Sequence, residues 1–491
     1  MKELFIGLDI GTSGIRAVAY TANGVCINEA RTGFATRYSS NGAAEQNPND
    51  WLRGVKVVLK QLADRLGDNC RNIAGIGLTG QCPTYTMLSP EGEAANFAVI
   101  YQDNRAIQET EWLIRQFGLT CIRNRTGQSP TPFYLAPKIM SLLNEHPGVF
   151  DGWSVVQPRD LAGHYLTGVL GTDPTHAACS MLYDLHHNDW ATDWQSELGL
   201  SVLEWPEILP SCSILGYLNP EIAQSVGMPS GIPVIVGAAD SLCAAYGARA
   251  VVPGNLCDVT GTSTCLHVIV PKAAATEQMN VYPHIVPYTW CADAGLNTTG
   301  AAVQWLSKVA SQPVEQLMES ASTIAPGCEG LLFLPYLSNG ERNDAGLMGG
   351  FVGLQLYHSA AHMARAVLEG TAFATQRRIN ALNEAGCCIT RITLCGGGSS
   401  NTLWNQIKAD VLQLQLKALS PADTTAYGAA SIAAEVLGFP TLNGDNGFEE
   451  VHYEPSASTS NHYTVYEQAY ARFCEAEQKL TSGRRAGHES N

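Results

Sequence analysis

Two copies of one short pattern constrain this chain more than any other feature. Leu4-Phe5-Ile6-Gly7-Leu8-Asp9-Ile10 is an apolar run of strand length, Gly11-Thr12-Ser13-Gly14 has the composition of a turn, and Ile15-Arg16-Ala17-Val18-Ala19-Tyr20 reads as a return strand. Far along the chain the unit recurs as Asn255-Leu256-Cys257-Asp258-Val259-Thr260, Gly261-Thr262-Ser263 and Cys265-Leu266-His267-Val268-Ile269-Val270. A single strand–turn–strand unit is common, but one in each half predicts a duplicated domain. The copies differ in one detail: Asp9 lies two residues before its glycine and Asp258 three before its own. A chain of 491 residues also exceeds one ordinary core. The division is expected between Gly247 and Gly254, giving domains over 1–247 and 248–491.

Charge and cysteine content narrow the classes of partner. With 45 acidic against 29 basic residues the formal charge is −16, which disfavours nucleic acid and anionic membrane surfaces as partners. A small anion is still compatible, because a few backbone amides hold a phosphate without net basic charge. No stretch approaches the roughly 20 apolar residues of a membrane span, and the apolar start lacks a basic region and cleavage site. The fifteen cysteines are scattered, with no CxxC pair and no Cys/His cluster at zinc spacing. Reduced thiols in a cytoplasmic protein are therefore expected, not a disulfide framework or a zinc site. Isolated histidines such as His164, His267 and His362 read as core or surface residues.

The chemistry is expected where backbone, hydroxyls and one carboxylate coincide. Gly11, Thr12 and Ser13 form either a plain hairpin turn or a nest whose amides and hydroxyls cradle phosphate. Glycines at 11 and 14 would permit positive φ and close approach. With the twin at Gly261, Thr262 and Ser263, a clamp on two sides of a polyphosphate becomes the better account. Leu394-Cys395-Gly396-Gly397-Gly398-Ser399-Ser400-Asn401 is a strand running through glycines into a helix, either a flexible loop or a close passage beside a base and ribose. Val234 to Ala239 is an apolar strand ending at Asp240, which fits a general base, a helix N-cap, or both. Gly75-Ile76-Gly77-Leu78-Thr79-Gly80 matches a dinucleotide fingerprint, but Gln81-Cys82-Pro83 is a poor helix start and the match is rejected. No GxxxxGK[ST] occurs, which excludes a P-loop enzyme.

These residues together resemble the FGGY carbohydrate kinases of the actin/hexokinase/Hsp70 superfamily, and most closely a xylulokinase-like branch. The likeness spans nearly the whole chain. Its most specific part is Gly349-Gly350-Phe351-Val352-Gly353-Leu354 followed, after seven intervening residues, by His362-Met363-Ala364-Arg365-Ala366-Val367-Leu368-Glu369. The resemblance implies two actin-like (ribonuclease H-like) α/β domains with mixed central sheets and an active site in the cleft between them. It implies ATP and Mg²⁺ as cofactors and a small sugar or polyol as acceptor, and dimers are common among such enzymes. By it, Asp240 falls on the catalytic base and Asp9 on the carboxylate associated with magnesium. The nucleotide would be held by Gly11, Thr12, Ser13, Arg16, Gly261, Thr262, Ser263, Gly300, Gln304, Gly397, Gly398 and Asn401. The acceptor would meet Gln81, Cys82, Asp103 and Asp240.

Two departures bear on the acceptor. Xylulokinases carry Met-His-Gly after Gly-Gln, whereas Gly80-Gln81 is followed here by Cys82-Pro83-Thr84, removing a hydrogen-bonding side chain. Ser141 stands where the first family signature usually has tryptophan, although Pro137-Lys138 is kept. Pro130, Pro132 and Phe133 fit either a pocket wall or loop packing. The expected activity is phosphorylation of a primary hydroxyl, with a ketopentose as leading acceptor and a tetritol or hexulose as rivals. A non-catalytic sugar sensor is the rival from another class, and keeping Asp240 beside both turns argues against it.

Overall fold

The first hairpin forms because its apolar run can be covered on both faces. In the computed structural model, which describes residues 3–338, 340–341, 346–420, 423–439, 448–456 and 462–488, Leu4–Ile10 pairs antiparallel with Gly14–Thr21, placing Asp9 opposite Arg16. Every residue of Leu4–Ile10 except Asp9 is buried. Cys26–Gly33 continues the meander. On the other side of Leu4–Ile10 lies Ile73–Gly80, parallel to it, then Pro233–Ala239, also parallel, and an antiparallel edge strand, Ile214–Tyr217.

The second half repeats this plan strand for strand. Trp290–Asp293, Thr264–Val270 and Asn255–Thr260 form the antiparallel meander. Arg391–Cys395 and Leu416–Ser420 follow as parallel strands, and Glu449–Tyr453 is the antiparallel edge. Asn280–Pro283 adds one further strand beside Trp290–Asp293. Two mixed sheets with the same order and directions are the duplicated, ribonuclease H-like α/β plan that the two hairpins imply. A five-stranded sheet, which includes Ala44–Gln46, Tyr85–Leu88 and Ala94–Val99, forms a lobe attached to the first half.

The halves are joined by more than the chain between them. The helix Thr425–Val436, from late in the sequence, packs across the first sheet. It comes so close that a Cβ at Gly7 would lie 1.8 Å from the Ala426 carbonyl oxygen, and one at Gly77 would lie 1.9 Å from that of Ala429. Gly77 of the rejected Gly75–Gly80 fingerprint thus admits a helix backbone, and the run is a strand leading to another strand, Tyr85–Leu88, not to a helix.

Some details differ from the expectation. Neither Gly11 nor Gly14 adopts positive φ; glycine at 14 is required because a Cβ would meet the Thr32 carbonyl oxygen at 2.3 Å. The last helix runs His462–His488; residues 489–491 lie outside the described ones. All fifteen cysteines are free thiols. Among the described residues no helix is long and apolar enough to cross a membrane.

Candidate active site

Asp240 sits where the buried strand Pro233–Ala239 turns into the helix Asp240–Gly247. It is the first helical residue and makes no capping bond to the turn above, so the N-cap alternative does not hold. Its Oδ1 accepts only the neighbouring Ser241 N–H, at 2.6 Å. The strand end is fixed from behind: the Ala239 N–H donates to Thr175 Oγ1 at 2.8 Å. That hydroxyl donates in turn to Asp173 Oδ2 at 2.5 Å, while His176 holds the other Asp173 oxygen. Burial pushes the Asp240 carboxyl up to about 6, against the pull of the Ser241 N–H and of His176 and His267. A carboxylate with that value exchanges a proton near neutral pH.

Asp240 opens onto a cleft of about 260 Å³. The same cleft is lined by Asp9 and Thr12 of the first hairpin and by Gly261 and Ser263 of the second, with Cys82, Tyr101 and Phe133 on the side of the lobe. Each turn is closed by its own backbone bond, Gly11 N–H to Gly14 carbonyl at 3.0 Å and Gly261 N–H to Ser263 carbonyl at 2.8 Å.

The one-residue difference in phase between the two hairpins has a clear consequence. Side chains alternate along a strand, so an acid two residues before the turn and one three before it point to opposite faces. Asp9 faces the cleft, where its buried Oδ1 lacks a hydrogen-bond partner. Burial, then the charges of Asp240 and Asp423, raise its pKa well above the ordinary carboxylate range. Asp258 points the other way and accepts from Lys408 Nζ at 2.6 Å and Thr260 Oγ1 at 2.5 Å. Val259 takes the cleft-facing position that corresponds to Asp9.

The remaining residues singled out from sequence fall into two groups. One gathers at the second turn. Gly300 starts the helix Gly300–Ala310, and a Cβ there would lie 2.2 Å from the Gly261 carbonyl oxygen. The Ala301 N–H donates to the Thr262 carbonyl at 2.9 Å, and Gln304 is exposed on the same helix. Gly398 leans on Thr260, Gly397 faces open space, and Asn401 caps the helix Thr402–Leu412 through the Trp404 N–H at 3.0 Å. The other group is already engaged. Arg16 pairs with Glu29 and Asp423. Gln81 is fully buried and donates to Gln46 Oε1 at 2.9 Å. Asp103 is buried, accepts from Ala44 N–H at 3.0 Å, pairs with Arg105 at 2.6 Å and borders a separate pocket, so the structure does not bring it to the Asp240 cleft.

Sequence reasoning missed Gln46 and Lys408. The Gln46 amide donates to the Thr12 carbonyl and to Thr36 Oγ1, both at 2.8 Å, and accepts from Trp51 Nε1 at 3.0 Å and from Gln81. It therefore ties the first turn to the core. Neither residue stands in a motif, and only the packing of distant segments reveals them.

A family model described as "FGGY family of carbohydrate kinases, N-terminal domain" matches residues 4–247, and its C-terminal counterpart matches 257–435. The chain belongs to the FGGY family of carbohydrate kinases. This FGGY kinase is 26% identical to a xylulose kinase of Staphylococcus epidermidis, over 98% of each chain. It is 28% identical to a glycerol kinase of Alkalilimnicola ehrlichii, over 99% of this chain and 97% of the relative. Its structure matches that of xylulose kinase from Rhodospirillum rubrum with a TM-score of 0.89 at 27% identity, covering 97% of this chain and 99% of the other. The FGGY kinase is accordingly a sugar phosphotransferase, and its family implies the use of ATP.

Proposed function

We propose that this FGGY kinase transfers the γ-phosphoryl group of ATP to a primary hydroxyl of a small ketose or polyol, with a ketopentose of the xylulose or ribulose type as leading acceptor. The observation that carries this reading is that both Gly-Thr-Ser turns and the Asp240 carboxylate open onto one cleft. Asp240 is assigned as general base, because its buried position gives it a proton affinity suited to accepting the hydroxyl proton as the oxygen attacks.

The residues present fit the cofactors. Asp9 offers a buried oxygen without a partner, close to the charges of Asp240 and Asp423, and a divalent cation would relieve that accumulation. Gly261 and Gly397 leave open backbone where a Cβ would meet nothing nearer than 4.0 Å. Bound there, Mg²⁺-ATP supplies the phosphoryl group and neutralises its charge. Thr12, Ser13, Thr262 and Ser263 would direct hydroxyls and amides at the phosphates, while Gly300, Gln304, Gly398 and Asn401 would border the nucleoside. The chain is divided, on this reading, into a first domain over 1–247 and a second over 248–491, with closure of the cleft excluding water as a competing acceptor.

Cys82 stands at the acceptor end, where its thiol lies 3.5 Å from that of Cys179. The contact with Cys179, and then burial, keep the Cys82 thiol protonated. A protonated Cys82 thiol is a weak hydrogen-bonding partner for a sugar, so the tetritol and hexulose readings stand beside the ketopentose one. An ADP-release screen across ketopentoses, hexuloses and alditols tests the assignment. Asp240→Asn is expected to abolish acceptor-dependent ADP release while ATP binding persists. Ample residual turnover in that variant would overturn the base, and a screen in which no acceptor exceeds the background ATPase would favour a sensor.

A further inference from the structure

The cleft that holds Asp240 carries a second group of metal-ligating side chains, Cys265, His267 and Asp293. Cys265 and His267 lie two residues apart on the strand Thr264–Val270 and so project to the same face. His267 is the cross-strand partner of Asp293, on Trp290–Asp293. The thiol, the imidazole and the carboxylate consequently converge, with ligand atoms within 4.8 Å of one another and His267 Nδ1 3.5 Å from Asp293 Oδ1. His267 and Asp293 are buried, Cys265 is half-buried, and all three line the same cleft as Asp240.

We propose that Cys265, His267 and Asp293 form a zinc-type divalent cation site whose open coordination position faces the cleft. One sulfur, one nitrogen and one oxygen donor suit Zn²⁺ better than a hard cation such as Mg²⁺. Three protein ligands with a free fourth position are the pattern of sites that bind water or a substrate oxygen, not of closed structural sites. Bonds of about 2.0–2.3 Å put tetrahedral ligand atoms roughly 3.3–3.8 Å apart, so the group closes in by about 1.5 Å at most when it binds. The site was invisible in sequence because Asp293 joins through strand pairing and not through spacing. Asp9, which lines the same cleft, offers only carboxylate oxygen and stands outside this donor set. On the kinase reading above, the fourth position would take an oxygen of the bound acceptor and orient it relative to Asp240.

The test uses the full-length protein, stripped with a chelator and titrated with Co²⁺ as a spectroscopic substitute. One equivalent is expected to bind with a thiolate-to-cobalt charge-transfer band in the near ultraviolet, releasing a proton as Cys265 ionises. Cys265→Ser should remove the band, and Asp293→Asn should weaken binding by more than about tenfold, each with an unchanged thermal melt and ATP binding. Asp9→Asn should leave the band intact. A band that persists in Cys265→Ser, or the absence of stoichiometric binding to a folded wild-type protein, would overturn the site. Adding a saturating ketopentose of the xylulose or ribulose type should alter the cobalt d–d bands. Bound cobalt with unaltered d–d bands would overturn the acceptor role alone, and neither optical result depends on turnover, so failure of the kinase reading is distinguishable.

Discussion

Asp240 is a carboxyl group whose usefulness comes from being partly removed from water. Because burial raises its pKa to about 6, lowering the pH through that value protonates the base. Acceptor-dependent kcat/KM is therefore expected to fall about tenfold per pH unit below 6 and to level off above it. A profile that stays flat down to pH 5 would remove Asp240 from the base role. Gln46 acts at one remove, since its amide satisfies the Thr12 carbonyl, Trp51 and Gln81 together. Gln46→Ala leaves those buried groups without partners, so a loss of about 3 kcal/mol of stability is expected by denaturant unfolding. KM for ATP should rise more than kcat falls, because the first turn loosens while Asp240 stays in place.

At the scale of elements, the strongest constraints are places where backbone meets backbone. The crossing of Thr425–Val436 over Gly7 and Gly77 tolerates no side chain. The same holds at Gly428, where a Cβ would stand 1.9 Å from the Cys243 carbonyl oxygen. Gly77→Ala should cost about 3 kcal/mol, seen as a lowered unfolding midpoint. An undisturbed midpoint would mean that the helix can withdraw without loss. The hairpins and the strand before Asp240 were legible because each is a local pattern, an apolar run bounded by turn residues or ending at the acid. What Gly77 was for was not legible, since its neighbour Ala429 lies about 350 residues away in sequence. The same limit hid Gln46, Lys408 and Asp293. Each acts through register between distant segments, and register leaves no trace in spacing along the chain. The opposite fates of Asp9 and Asp258 were legible in principle, because their offsets from the glycine differ by one residue and strand alternation does the rest.

Across the whole molecule, two kinds of link connect the halves. The Arg16–Asp423 ion pair is partly exposed, with about half of the Asp423 side chain in water. Asp423→Ala is therefore expected to change global stability by less than about 1 kcal/mol in urea unfolding. The embedded helix is the stronger link, joining the first sheet and the helix Asp240–Gly247 in one apolar cluster with residues such as Phe5, Ile235, Leu242, Tyr427 and Ile432. A fragment ending at residue 247 should therefore fail to give a cooperative unfolding transition. Adding the second fragment, 248–491, in trans should restore it.

That placement also sets an order of events during synthesis. The ribosome completes all six strands of the first sheet by residue 239, yet the helix that covers Gly7 and Gly77 emerges only about 190 residues later. At roughly 5–20 residues per second this leaves one face of the sheet uncovered for on the order of ten seconds or more. The nascent chain therefore spends that interval with apolar surface open to chaperones or to neighbouring chains, and its yield in the cell should depend on how quickly the message for residues 240–436 is read.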